Sequence, residues 1–212
     1  MIQLPGLIDP HVHMREPGGE HKEDFATGTA AALAGGFTIV LAMPNTTPPV
    51  TDASSLAVAK EAARARARCD YGLYLGAGID NAGTAADLAG EVAGLKMYLD
   101  STFGPLRMDD VAGIMDHMRS WPAFRAAAAH AESRSMAAVI LAAGLTGRPI
   151  HLCHVSRKEE IELIRAAREQ GFPVTCEVTP HHLFFTRADM EHLPPGRREV
   201  RPVLAGAQDR QA

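Results

Sequence analysis

Short apolar runs alternate with longer helical stretches seven times along this 212-residue chain. The runs are apolar almost throughout, as in Phe37–Met43 (FTIVLAM), which is typical of strands buried on both faces. Several helical stretches end at glycine, for example at Gly35-Gly36 and at Gly171. Because strands that alternate with helices form a parallel sheet covered by helices, the sequence predicts an α/β fold.

The predicted elements follow from these patterns. The predicted strands are Leu7–Met14, Phe37–Met43, Asp70–Ala77, Gly94–Tyr98, Ala126–Ala131, Pro149–Val155 and Pro173–Val178. The predicted helices are Glu23–Leu33, a helix capped by Asp52 that runs to about Arg68, Met108–Met118, Ser133–Ala143 and Arg157–Gln170. Periodicity allows either strand or helix for Ala126–Ala131, and its shortness favours a strand. The tail from Arg187 is polar and has no clear strand.

Seven strands in strict alternation favour a TIM-type (β/α)8 barrel over an open sheet. A doubly wound sheet is the alternative, but no Gly-x-Gly-x-x-Gly follows the first strand. Such barrels take about 250 residues, and this chain stops after about seven strands. We therefore expect one domain, residues 1–212, that is an incomplete barrel without its eighth strand.

Composition excludes several classes of protein. Hydrophobic residues make up 46% of the chain and charged residues 22%, which predicts a globular domain, and the net charge of −4 does not suggest a nucleic-acid partner. No apolar run approaches the roughly 18 residues of a membrane span, and Met1–Asp9 lacks the basic start of a signal peptide. Three cysteines cannot all pair, which favours a reducing cytoplasm.

Chemistry-bearing side chains recur where the predicted strands end, the edge at which barrel active sites lie. His11 and His13 are two apart, so strand alternation points both imidazoles to one face. His130 and His154 end the fifth and sixth strands, and Lys96 lies in the fourth. This set predicts a site for zinc or a related metal. A buried lysine amine can take up CO₂ and become a carbamate, which is an anionic oxygen donor.

Five segments resemble the motifs of dihydroorotases, within the cyclic-amidohydrolase superfamily. They are Gly6–Gly18 (GLIDPHVHMREPG), Met43–Thr46 (MPNT), Ala129–Glu132 (AHAE), His151–Val155 (HLCHV) and Thr175–Leu183 (TCEVTPHHL). The resemblance runs through nearly the whole chain and is greatest to the dihydroorotase domain of the animal multifunctional pyrimidine-synthesis protein.

The resemblance implies a barrel of the metal-dependent hydrolase kind with two zinc ions per chain. His11 and His13 would bind the first zinc, His130 and His154 the second, and carbamylated Lys96 would bridge them. The implied reaction is the reversible cyclisation of N-carbamoyl-L-aspartate to L-dihydroorotate in pyrimidine biosynthesis, in which water activated by the metals attacks the ring amide in the hydrolytic direction.

Three further residues are predicted to bind the substrate, whose carboxylate distinguishes it from neutral hydantoins and dihydropyrimidines. Arg15 lies two residues beyond His13 and so on the same side of the predicted strand, and a guanidinium there can grip a carboxylate with two hydrogen bonds. Asn45, after the second strand, can add amide donors. Arg201 matches a further substrate arginine by resemblance. Hydantoinases, dihydropyrimidinases and allantoinases are the alternative classes, and they are not expected to keep Arg15 and Asn45.

The remaining predictions concern loops and neighbours of the metal ligands. Thr102 and Phe103 resemble a mobile loop that closes over substrate. Cys153 and Glu177 are either buried supporting residues or members of an additional metal site. The run Arg64–Arg68 is predicted to be a solvated helix end.

The chain departs from the family pattern in one respect. The resemblance implies a metal-binding, proton-transferring aspartate at the end of strand eight, and neither Asp189 nor Asp209 stands in a matching context. A non-catalytic dihydroorotase-like scaffold, for example one that binds an aspartate transcarbamoylase, is therefore the third hypothesis. Relatives of this kind also often pair as homodimers.

Overall fold

The computed structural model describes residues 3–212, which form two compact units. The first unit contains the chain up to Lys96 together with Phe103–Leu106 and Ser120–Arg125. The second contains Met97–Thr102, Arg107–Arg119 and Ala126–Ala212. Strand β4 is shared, because Lys96 belongs to the first unit and the residues after it to the second.

Strands and helices alternate through both units. The first half comprises β1 (Leu7–Val12), α1 (Phe25–Ala34), β2 (Phe37–Ala42), α2 (Ala53–Arg66), β3 (Asp70–Gly76), α3 (Ala82–Asp87), a 3₁₀ turn (Ala89–Glu91) and β4 (Gly94–Tyr98). The second half comprises α4 (Val111–Ser120), β5 (Ala126–His130), α5 (Arg134–Thr146), β6 (Ile150–Leu152), α6 (Lys158–Glu169), β7 (Val174–Cys176), α7 (Pro180–Phe184), α8 (Arg187–Met190), a 3₁₀ turn (Pro195–Arg197) and α9 (Ala207–Gln211).

The strands are parallel and follow one another in chain order from β1 to β7. In the first unit β1 pairs with β2, β2 with β3 and β3 with β4, and in the second unit β5 pairs with β6 and β6 with β7. The predicted fold class, an incomplete (β/α)8-type barrel of about seven strands, is confirmed. No helix among residues 3–212 combines the length and the apolar character needed to cross a membrane.

Each unit has its own apolar core. Phe25, Leu56 and Leu75 are buried in the first unit, where α1 and α2 cover the sheet. Met136, Ile150 and Leu152 are among the fully buried side chains of the second. Asp24 and Asp52 cap α1 and α2 by accepting hydrogen bonds from the backbone N–H groups of Thr27 and Ser55, so the cap predicted at Asp52 is confirmed.

Several strands end earlier than predicted, and this shapes the site. The strand predicted to reach Met14 ends at Val12, and the strand predicted to reach Val155 ends at Leu152. His13, Arg15 and His154 therefore lie in the loops that follow their strands. The expectation that strand alternation aligns Arg15 with His13 was wrong in its reason, because Arg15 has a backbone φ of 60°.

Candidate metal centre

His13 is oriented by Asn45 in the first unit. Nδ1 of His13 lies 2.7 Å from Oδ1 of Asn45. A carbonyl oxygen only accepts, so Nδ1 donates this hydrogen bond and Nε2 keeps its lone pair. The ring centroids of His11 and His13 are 5.4 Å apart. An imidazole whose Nδ1–H is held by an acceptor is the usual form of a histidine metal ligand.

His13 is also held in its neutral form. Burial is the main cause that lowers the pKa of His13 to about 3. Electrostatic repulsion from His11, Arg15 and Lys96 acts in the same direction. The hydrogen bond to Asn45 opposes this effect and raises the pKa. Because a metal binds the neutral imidazole, His13 does not need to lose a proton to act as a ligand at physiological pH.

Lys96 lies in the middle of a wholly buried strand. All five residues of β4 are buried, and Lys96 is 0% exposed. Its backbone carbonyl accepts a hydrogen bond of 2.9 Å from the N–H of Ala77. Burying an ammonium group is costly unless its charge is compensated, so this position favours a chemical partner or a modification of the amine.

In the second unit, His130 and His154 meet edge to face. Nδ1 of His130 lies 3.0 Å from Nε2 of His154, and the rings are 4.6 Å apart at 69°. His130 is 2% exposed and His154 8% exposed. Zinc binds nitrogen at about 2.0–2.1 Å, so two nitrogens on one tetrahedral ion lie roughly 3.3 Å apart. The separation of these two atoms therefore fits a pair of ligands to one ion.

The end of β5, which carries His130, is held by hydrogen bonds to backbone groups and to a carboxylate. The carbonyl of His130 accepts from the N–H of Leu99 at 2.9 Å, and Oδ2 of Asp100 accepts from the N–H of Glu132 at 2.7 Å. Oε1 of Glu132 lies 3.4 Å from Nε2 of His130. That imidazole holds the pKa of Glu132 below its usual value, and Arg201 acts weakly in the same direction.

Arg201 thus lies within electrostatic range of Glu132. Its guanidinium is exposed and helps to line a cavity of about 380 Å³ with Arg187 and Arg198. Arg201, Glu132 and His130 all belong to the second unit. Its predicted role in substrate binding is compatible with this position and stays a prediction.

Glu160 is a supporting residue that the sequence analysis missed. It is 2% exposed and is the third residue of α6. Its Oε1 accepts from the N–H of Ser133 at 2.9 Å, and its Oε2 accepts from the N–H groups of Ser156 and Arg157, both at 3.2 Å. One carboxylate therefore joins the loop after β5 to the loop after β6. A glutamate at this helix position is a known capping signal that could have identified it.

The two loops that Glu160 joins contain strained backbone. Ser133 has a φ of 50° and His154 a φ of 39°, a region that residues other than glycine seldom adopt. Such conformations cost about 1–3 kcal/mol and persist where surrounding contacts fix them. Burial raises the pKa of Glu160, because desolvation disfavours the ionised form, and the backbone N–H groups of Ser133, Ser156 and Arg157 oppose this effect.

The other predicted residues are placed as follows. Cys153 is buried, and Oε2 of Glu177 lies 3.3 Å from Nε2 of His151. Nδ1 of His151 is 2.9 Å from Oγ1 of Thr175, so this histidine has polar partners on both ring nitrogens. Phe103, in the loop after β4, is 55% exposed. The roles predicted for Cys153, Glu177, Thr102 and Phe103 stay predictions.

Comparison with known proteins agrees with the fold. The family model described as dihydro-orotase-like matches residues 1–104. The chain is 54% identical over 209 residues to the multifunctional protein CAD of Squalus acanthias, covering 99% of this chain and 9% of that protein. It is 34% identical over 246 residues to a dihydroorotase of Listeria monocytogenes and 35% identical over 227 residues to an allantoinase of Rubrobacter xylanophilus. These two matches cover 98% and 89% of this chain and 55% and 50% of the relatives.

One solved structure is similar over 99% of this chain and 60% of its own length, with a TM-score of 0.84 and 28% identity. It is the inactive dihydroorotase-like domain of a CAD-like multifunctional protein from Chaetomium thermophilum. The fold is thus an incomplete barrel of the amidohydrolase class. The chain is similar to dihydroorotase-like proteins, and it spans 9% of CAD and about half of the bacterial relatives.

The contact between His13 and Asn45 generates a prediction for the metal-free protein. Replacing Asn45 with leucine removes the acceptor for Nδ1–H, so we expect the proton of His13 to move partly to Nε2 and its pKa to fall further. We also expect zinc affinity to fall by about 10–100-fold. ¹⁵N NMR of labelled histidine and a zinc competition titration measure these changes. Asn45→Asp, which keeps the acceptor, is the control, and unchanged Nδ1 protonation in Asn45→Leu would contradict the assignment.

Glu160 generates a prediction for stability. In Glu160→Gln an amide nitrogen without a lone pair faces a backbone N–H, so we expect a loss of about 1–2 kcal/mol. Because the folded pKa is raised, the stability contributed by the carboxyl group is fully present below its unfolded pKa and declines as pH rises through the folded value. Urea unfolding from pH 4 to pH 8 should therefore show a difference that shrinks with pH. Glu159→Gln, an exposed neighbour, is the control, and a difference that grows with pH would contradict this account.

Proposed function

We propose that this chain carries the metal-binding part of a zinc-dependent dihydroorotase. The enzyme would interconvert N-carbamoyl-L-aspartate and L-dihydroorotate in pyrimidine biosynthesis. The observation that carries the proposal is the buried pair of His130 and His154, whose facing nitrogens are 3.0 Å apart. Two such nitrogens at this separation share a hydrogen bond in the absence of metal, and they converge as two ligands of one zinc ion would.

The proposed metal ligands are four histidines and one lysine. His11 and His13 would hold one zinc, His130 and His154 the other, and carbamylated Lys96 would be the shared anionic ligand. Carbamylation would add CO₂ to the amine of Lys96 in its neutral form and release one proton; counted from the ammonium form two protons leave, and a buried cation is replaced by a buried anion. Bound zinc would supply Lewis acidity, which activates water near neutral pH and polarises a carbonyl group.

The protein's own residues would select and orient the substrate. The guanidinium of Arg15 would bind the substrate carboxylate with two hydrogen bonds. Oδ1 of Asn45 is committed to His13, so the donor half of the same amide is the half that would face substrate. Arg201 would add a second cation, and the loop with Thr102 and Phe103 would exclude water.

We further propose that the protein works in the cytoplasm on small molecules, as a homodimer or beside an aspartate transcarbamoylase. The similarity to multifunctional CAD supports a setting in which this domain is one part of a larger polypeptide.

A non-catalytic scaffold is the second candidate function. The observation that favours it is the similarity to a domain described as inactive. A scaffold, however, has no use for neutral, oriented imidazoles such as that of His13.

The proposed function is tested by measuring the metal content and the catalytic turnover of the same purified sample. We expect about two zinc ions per chain by elemental analysis and cyclisation of carbamoyl-aspartate. His130→Asn should lose zinc, whereas His192→Asn, an exposed histidine, should not. Zinc without turnover would favour the scaffold, and zinc-free soluble protein would contradict the metal site.

Arg15 tests the substrate class. Arg15→Met should lower kcat/KM for dihydroorotate by about 100-fold, which corresponds to the loss of about 3 kcal/mol of charge-assisted hydrogen bonding. Hydrolysis of 5,6-dihydrouracil or hydantoin, which lack the carboxylate, should change little. Equal losses on both kinds of ring would argue for a neutral substrate.

A further inference from the structure

The predicted specificity residue Arg15 lies at the centre of a strained turn. The N–H of Glu16 donates to the carbonyl of Met14 at 2.7 Å, which closes a three-residue γ-turn around Arg15. Arg15 has a φ of 60°, and a γ-turn with positive φ at a residue other than glycine is rare and strained. Such a conformation persists only where neighbouring contacts determine it.

Those contacts converge on Glu16. Glu16 is 7% exposed, and its Oε2 accepts from the N–H of Phe25, the first residue of α1, at 2.9 Å. Its Oε1 accepts from Nη1 of Arg66 at 3.0 Å. Met14, on the other side of Arg15, is 4% exposed. The residues on both sides of the strained one are therefore anchored.

Arg66 connects this turn to a second fixed point. Its other nitrogen, Nη2, lies 2.6 Å from Oδ2 of Asp24, which caps α1. The planar guanidinium fork is suited to two carboxylates at once, which a lysine cannot reproduce. Arg66 is the last residue of α2, so it joins the end of α2, the start of α1 and the turn at Arg15.

We propose that Arg66 is a positioning residue which, through Glu16, holds the γ-turn that presents Arg15 to the carboxylate of the substrate. The identity of the ligand in this inference rests on the proposed function. The support of the turn by Arg66 and Glu16 rests on the contacts alone. The predicted solvated helix end at Arg64–Arg68 is confirmed at Arg64, whose side chain is 75% exposed and pairs with Glu61. Arg66 is also exposed, at 42%, but its guanidinium pairs in addition with Glu16 and Asp24.

The support of the turn by Arg66 and Glu16 can be tested without an activity assay. In the full chain, Arg66→Gln should speed hydrogen exchange of the Glu16 amide by about tenfold or more, because the turn that protects it loosens. Arg64→Gln removes the same charge two residues away and should leave that amide unchanged. Arg66→Lys keeps the charge without the fork and should give an intermediate rate. Amides of β2 and β3 report whether the fold is intact.

If Arg66→Gln fails to fold, Glu16→Gln provides the second test, because it weakens the same ion pair while keeping both the amide and the side-chain shape. An unchanged hydrogen-exchange rate of the backbone amide at position 16, in a folded Arg66 or Glu16 variant, would overturn the proposal.

The link to substrate is tested with two ligands. Arg66→Gln should raise KM or Kd for dihydroorotate by about 10–100-fold with little change in kcat, and it should leave 5,6-dihydrouracil unaffected. Added to Arg15→Met, it should cause no further loss, since both act through one group. Additive losses would overturn the positioning role. If the unaltered chain neither binds nor converts dihydroorotate, the proposed function fails. The hydrogen-exchange experiment still decides whether Arg66 and Glu16 hold the turn.

Discussion

The structure depends on burying polar, titratable side chains within apolar strands and at their ends. β4 is buried at every position and yet contains Lys96, and β5 is four alanines followed by a buried histidine. Nothing in the packing of a βα unit requires a lysine or an imidazole there, and each such group lowers stability unless a partner compensates it. The surrounding elements can be understood as means of placing and compensating these few groups.

Each unit uses a buried glutamate for this purpose. In the first unit Glu16 accepts from the backbone of α1 and from Arg66. In the second unit Glu160 accepts three backbone hydrogen bonds from two loops. In both cases the carboxylate holds a loop in which a residue other than glycine has positive φ. A buried acceptor is a stiffer support than apolar contact, because its hydrogen bonds fix direction as well as distance.

The sequence predicts the framework better than the loops. The bounds of β4 and the Asp52 cap are confirmed, because a continuous apolar run and a capping aspartate are local signals. The early end of β1 and the left-handed Arg15 could not be read from the pattern, since they depend on contacts made elsewhere in the chain. Arg66 shows this most clearly: its partner Glu16 is 50 residues away, so an alternation of arginine and alanine gives no sign of the ion pair.

The pattern of strain bears on the choice between an enzyme and a scaffold. Arg15, Ser133 and His154 are the non-glycine residues with positive φ among residues 3–212. Each is either a predicted site residue or lies in a loop that follows one. Each conformation costs about 1–3 kcal/mol, a large part of the stability of an ordinary domain. A scaffold whose surface alone mattered would lose nothing by relaxing these turns. Their retention, with a dedicated buried carboxylate beside each loop, is therefore the argument that favours a site whose geometry is used for binding and chemistry.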